Sequence, residues 1–100
     1  MNNDRIARAS INDNTATPAR QRIEIARCDK LIDRHLGTYR TARDIVTRDN
    51  AFRAAVEWVR VRAAWEQGLA GNWVEGNLDR AMTIEDAEKV VSALAAATFL

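Results

Sequence analysis

The chain carries one cysteine, one histidine, one proline, four glycines and six aromatic residues in 100 positions. Each scarcity excludes something. A lone Cys28 cannot form an internal disulfide. With His35 as the only histidine, the usual Cys/His zinc site cannot be assembled, and no cofactor or metal is expected. The glycines of GLAGNWVEG follow no strand and match no phosphate-binding loop, which removes support for nucleotide binding. There is neither a leading apolar stretch with a small-residue cleavage site nor an apolar run of about 18 residues, so a cytoplasmic protein without a membrane span is expected. Alternating β-branched runs and internal repeats are missing as well.

Apolar content of 47% against 29% charged residues is that of a chain that folds. At this length one domain forms, with a modest core. Net charge is only +1, but residues 1–62 hold 13 basic and 8 acidic side chains while residues 63–100 hold 2 and 6. Thirteen of the fifteen basic residues are arginine. That choice suits bidentate recognition of phosphate or carboxylate, and it is also what GC-rich codon usage yields.

The spacing predicts an all-α fold: a small bundle of three main helices with short extra helical turns, residues 18–100, preceded by a loosely ordered arm over residues 1–17. Thr17 and Pro18 supply an N-cap and a first-turn proline. Ile25, Cys28, Ile32, His35, Leu36 and Tyr39 then recur on one face, and Gly37 is expected to end this helix near Leu36. Thr41 and Asp44 are expected to open a short second stretch, with a longer helix starting near Ala51 after Asp49 and Asn50 and ending at Gly71. A helical turn is expected around Leu78. Thr83 with Asp86 caps a final amphipathic helix through Ile84, Ala87, Val90, Val91, Leu94 and Ala95.

All three tryptophans fall between Ala51 and Trp73. Helical projection gives one apolar stripe of Phe52, Ala55, Val56, Val59 and Ala63, and a second of Ala51, Ala54, Trp58, Val61, Trp65 and Leu69. Arg62 and Glu66 can pair between them, and Arg53, Glu57, Arg60 and Gln67 should face water. Two stripes mean two packed sides, either both within the bundle or one of them against a partner. Trp73, beyond the helix, is the strongest candidate for partner contact; folding back over the bundle end is the plainer alternative.

For chemistry, His35 has the side chain of a general base, but no nucleophile sits at a recognisable spacing, and a histidine at the core edge has the same pattern. Cys28 reads as a small core residue. An enzyme is not expected. Arg20, Arg27 and Arg34, seven residues apart with Lys30 nearby, form a stripe that can lie along phosphates, or a solvated flank of mixed charge. Asp29 and Asp33, one turn apart, repel each other unless Arg22, Lys30 or a basic site on another protein intervenes.

The helix PARQRIEIARCDKLIDRHLG, the following TARDIV and the tryptophan helix together resemble the small helical phage-borne anti-CRISPR proteins that inhibit type I-F systems. The resemblance spans about Arg20 to the C-terminus and rests on no single motif. It implies a non-enzymatic inhibitor, acting in the host bacterial cytoplasm, that binds subunits of the RNA-guided CRISPR surveillance complex and stops it engaging target DNA. Some such inhibitors imitate DNA with dense acidic surfaces. A net charge of +1 departs from that pattern, since duplex DNA carries one charge per about 1.7 Å. Local steric and electrostatic blockade is what remains, with Glu24, Asp29, Asp33 and Trp73 as contacts. The alternative is a small nucleic-acid-binding or regulatory protein using Arg20, Arg27 and Arg34.

Overall fold

In the computed structural model, residues 17–68 and 75–97 are described, and among them four helices and no strand occur: α1 (Pro18–Thr41), α2 (Ile45–Glu66), α3 (Glu75–Ala81) and α4 (Ile84–Ala97). The all-helical expectation holds, as does the extra helical element around Leu78. Trp73, Leu69, Gly71 and residues 1–16 lie outside the described residues.

α1 starts as expected, with the Thr17 hydroxyl accepting from the Arg20 amide at 3.3 Å and Pro18 at the first position. It does not stop at Gly37. A lone glycine inside a helix costs only about 1 kcal/mol relative to alanine, and the turn beyond it is held by the Thr38 and Thr41 hydroxyls, which donate to the carbonyls of Arg34 and Gly37 at 3.3 and 2.9 Å. Thr41 therefore finishes α1 instead of capping the next helix. The cap of α2 is Asp44, whose carboxylate accepts from the Thr47 amide at 3.0 Å. Hydrogen bonds from Thr47 hold that carboxyl below its usual range.

Asp49 and Asn50 do not interrupt α2, which runs unbroken to Glu66. Asp49 instead pairs with Arg53 one turn on, at 2.8 Å. The helix ends five residues before the expected Gly71, because Gly68 takes φ of 76°, the left-handed conformation that closes helices. Gln21 of α1 reaches across to donate to the terminal carbonyls of Trp65 and Glu66 at 2.6 and 3.4 Å, and Gln67 donates to Ala81 at 2.8 Å. α4 begins on the expected cap, the Thr83 hydroxyl accepting from Asp86 at 3.1 Å.

α2 is the central element, packed by α1, α3 and α4. Among the described residues, members of both of its apolar stripes pack within the bundle. Ile32 and Leu36 of α1, Ala55, Val56 and Val59 of α2 and Ala87, Val91 and Ala95 of α4 form one cluster. Cys28 and Trp65 form another, with Ile25, Trp58 and Val61 against it. Ala55, Ala64 and Ala87 are fully buried, so the core is rich in small side chains that let backbones approach closely. Burial also pushes the Cys28 thiol up to about 11, aided by the charges of Glu24 and Asp29.

Arg60 corrects the projection. Expected in water, it is buried at 6% exposure. α3 and the loop after it cover that side of α2. The Arg60 Nε–H donates to the Met82 carbonyl at 3.0 Å, and its guanidinium pairs with Asp79 and, at 3.7 Å, with Glu57. A long aliphatic stem with a charged tip is how arginine fills such a position.

Candidate binding surface between three helices

α1 and α4 both pack on α2 while making little direct contact with each other. The opening between them is a groove of about 510 Å³. Its floor is Ile32, Val59, Ala63 and Met82, and α4 contributes Val90 and Leu94, which remain 37% and 41% exposed. Asp29 and Asp33 edge it from α1, Arg62 and Glu66 from α2.

Arg62 organises that edge. Its Nε–H donates to Asp29 at 2.6 Å, and a terminal nitrogen pairs with Glu66 at 2.8 Å. The bond to Asp29 leads the effects that raise the guanidinium pKa further. The cation that relieves Asp29 is thus neither Arg22 nor Lys30 but a residue 33 positions later in the chain. Asp33 has no ion pair or hydrogen bond among the described residues and stands exposed. The expected Arg62–Glu66 pair is present.

Glu24 is not brought to this groove. Arg20 and Arg27 of its own helix hold it at 3.4 and 3.5 Å, and its side chain is largely covered. It lies on the other flank of α1, beside Trp58, Val61 and Trp65. The same contacts occupy two members of the arginine stripe, and the Arg20 guanidinium also lies 5.7 Å from the Trp65 ring centre. Arg34 alone of the three makes no side-chain ion pair among the described residues. His35 is half-buried. Among the described residues no three His, Cys, Asp or Glu side chains converge to hold a metal ion, and no helix is long and apolar enough to cross a membrane.

A second depression lies at the α1–α2 corner, where the Tyr39 and Phe52 rings meet at 5.8 Å and Arg48 sits 5.0 Å over Tyr39. Its carboxylates are already engaged, Asp44 by its cap and Asp49 by Arg53.

The groove residues Glu66, Val90 and Leu94 were not singled out from sequence as a surface. Val90 and Leu94 share the broad apolar stripe of Ala87, Val91 and Ala95, and helical spacing alone does not separate the buried part of a stripe from its open edge. Only the angle between α1 and α4 does. No family model matches the chain, and no curated protein or solved structure matches it.

Proposed function

We propose that this chain is a non-enzymatic binding protein that engages a basic surface of another protein through the carboxylate edge of the α1–α2–α4 groove. The partner proposed is a bacterial type I-F RNA-guided surveillance complex, whose binding of target DNA the protein blocks. The reading is supported chiefly by Asp33, an exposed carboxylate with no ion pair or hydrogen bond among the described residues, beside a groove whose apolar edge, Val90 and Leu94, is open to solvent. A carboxylate so placed can take the arginines or lysines that otherwise hold DNA phosphates, as charge-assisted hydrogen bonds. The apolar floor adds contact area that a purely acidic DNA mimic would lack, which fits a chain of net charge +1.

The test is a mobility-shift titration of target duplex with purified surveillance complex, with and without this protein. Loss of the shifted band on adding the wild-type chain, and its retention with Asp33→Lys, is the expected result. An unchanged band with the wild-type chain removes the CRISPR assignment. A shift of DNA by this protein alone, falling steeply with salt, would replace it with direct phosphate binding.

A further inference from the structure

The open side of the bundle has the dimensions and chemistry of a seat for one more helix. Asp29 to Asp33 on α1 and Val90 to Leu94 on α4 each span one turn, and Val59 to Glu66 on α2 spans two, so the groove is about 10 Å long at the helical rise of 1.5 Å per residue. That length accepts apolar side chains at positions i, i+4 and i+7 of a single helix, the pattern by which amphipathic helices enter grooves. A helix seated there would touch α1, α2 and α4 together and convert three packed helices into a four-helix arrangement.

The charges select the occupant. Three carboxylates, Asp29, Asp33 and Glu66, face one guanidinium, Arg62, around an apolar floor. A second copy would have to present exposed apolar side chains at helical spacing; Ile23 of α1 and the adjacent Ile45 and Val46 of α2 are exposed but lack that spacing, and α4, which has Val90 and Leu94, carries Glu85, Asp86 and Glu88 against Lys89. Acid would then meet acid. Residues 1–16 balance Asp4 and Asp13 with Arg5 and Arg8 and so bring no net charge. Nucleic acid is repelled by the same rim. We infer that the groove binds a basic amphipathic helix of a partner protein, with its aliphatic face on Val59, Ala63, Val90 and Leu94 and its lysines or arginines on Asp33 and Glu66. This inference rests on the proposal that the groove is the partner-binding surface, and it specifies the partner's form.

The probe is a synthetic peptide of leucines at i, i+4 and i+7 in a lysine and arginine background, long enough to form a helix, added to the full chain and followed by calorimetry and backbone amide shifts. Two controls accompany it: a scrambled peptide of the same composition, and one with glutamate in place of the basic residues. The expected result is saturable binding that moves amides at Asp33, Ala63, Val90 and Leu94, at least about tenfold tighter than either control. Val90→Ser with Leu94→Ser should weaken it by about tenfold or more while circular dichroism stays that of the native chain, since both side chains are already partly exposed. Equal affinity for the scrambled peptide would show that charge alone acts and overturns the inference. So does an absence of binding, or amide shifts confined to other surfaces.

The outcomes separate this inference from the reading it rests on. Peptide binding without any effect on the surveillance complex keeps the helix seat and rejects that partner. Inhibition of the complex that is indifferent to Val90→Ser and Leu94→Ser rejects the helix seat alone.

Discussion

Removing the solvent-exposed member of the Arg60–Asp79 pair should destabilise the protein more than removing the buried member. Arg60 is 6% exposed, whereas the Asp79 side chain keeps 65% of its surface in water. In Arg60→Met a flexible apolar chain occupies the arginine stem's place, and Asp79 is left solvated. The loss is the charge-assisted bond to the Met82 carbonyl, about 1.5–3 kcal/mol, offset in part by apolar burial, so about 1–2 kcal/mol net. Asp79→Asn removes the countercharge and leaves the interior guanidinium facing a neutral amide oxygen, Glu57 at 3.7 Å and one backbone carbonyl. Stranding a buried charge costs about 3–5 kcal/mol when nothing replaces the partner, and Glu57 reduces this to about 2–3 kcal/mol. Urea unfolding at neutral pH followed by far-UV circular dichroism resolves such a difference, provided the slopes agree. The double variant should fall near Arg60→Met alone, because the stranded cation is gone. A larger loss for Arg60→Met than for Asp79→Asn would refute the reasoning and show that the pair acts through packing of the arginine stem.

Other expectations concern the helix ends and the core. Gly37 sits inside α1 with open space around the position of an added Cβ, so Gly37→Ala should stabilise by about 0.5–1 kcal/mol, a rise of several degrees in Tm. Gly68→Ala should instead cost about 1 kcal/mol, because φ of 76° strains any L side chain there although space is available; equal effects of the two substitutions in a melting experiment would contradict both assignments. Trp65→Ala should cost about 3–5 kcal/mol, since this side chain is 4% exposed, and Trp58→Ala less because Trp58 is only half-buried; the order of the two unfolding midpoints checks this. The Cys28 thiol has a folded pKa near 11, above that of an exposed thiol at about 8.5. A raised pKa of this kind contributes stability that is complete below about pH 8.5 and is lost as pH rises through about 11. The wild-type chain should therefore lose more stability than Cys28→Ala across that window, and parallel curves would refute the assignment.

How far the sequence reaches differs between the ends of the helices and their faces. Thr17 with Pro18 and Thr83 with Asp86 act as they read, because a cap is a contact between residues three apart and needs nothing distant. Gly37, read as a stop, lies inside its helix, and Gly68 rather than Gly71 closes the next one. A glycine stops a helix only where the chain beyond it must change direction. Beyond Gly37 lies one more helical turn secured by Thr38 and Thr41, whereas Gly68 begins the passage from α2 toward α3. The two apolar stripes of α2 were legible from period alone, and with them its place at the centre. Arg60 was not, since its burial depends on α3, a seven-residue helix, folding back over it.

The candidate surface divides in the same way. Asp29 and Asp33 were legible as adjacent carboxylates needing a cation, because side chains four apart on a helix are neighbours whatever surrounds them. That the cation is Arg62, that Glu24 belongs to the opposite flank, and that Val90 and Leu94 stay open to solvent were decided by how α1 and α4 lean on α2. Sequence by itself determined the helical class, the starts of α1 and α4 and the face of most helices that avoids water, all of which are set within a few turns of chain. Tertiary structure alone decided which part of each apolar face is covered and which charges meet, since contacts across tens of residues depend on the packing angles of whole helices.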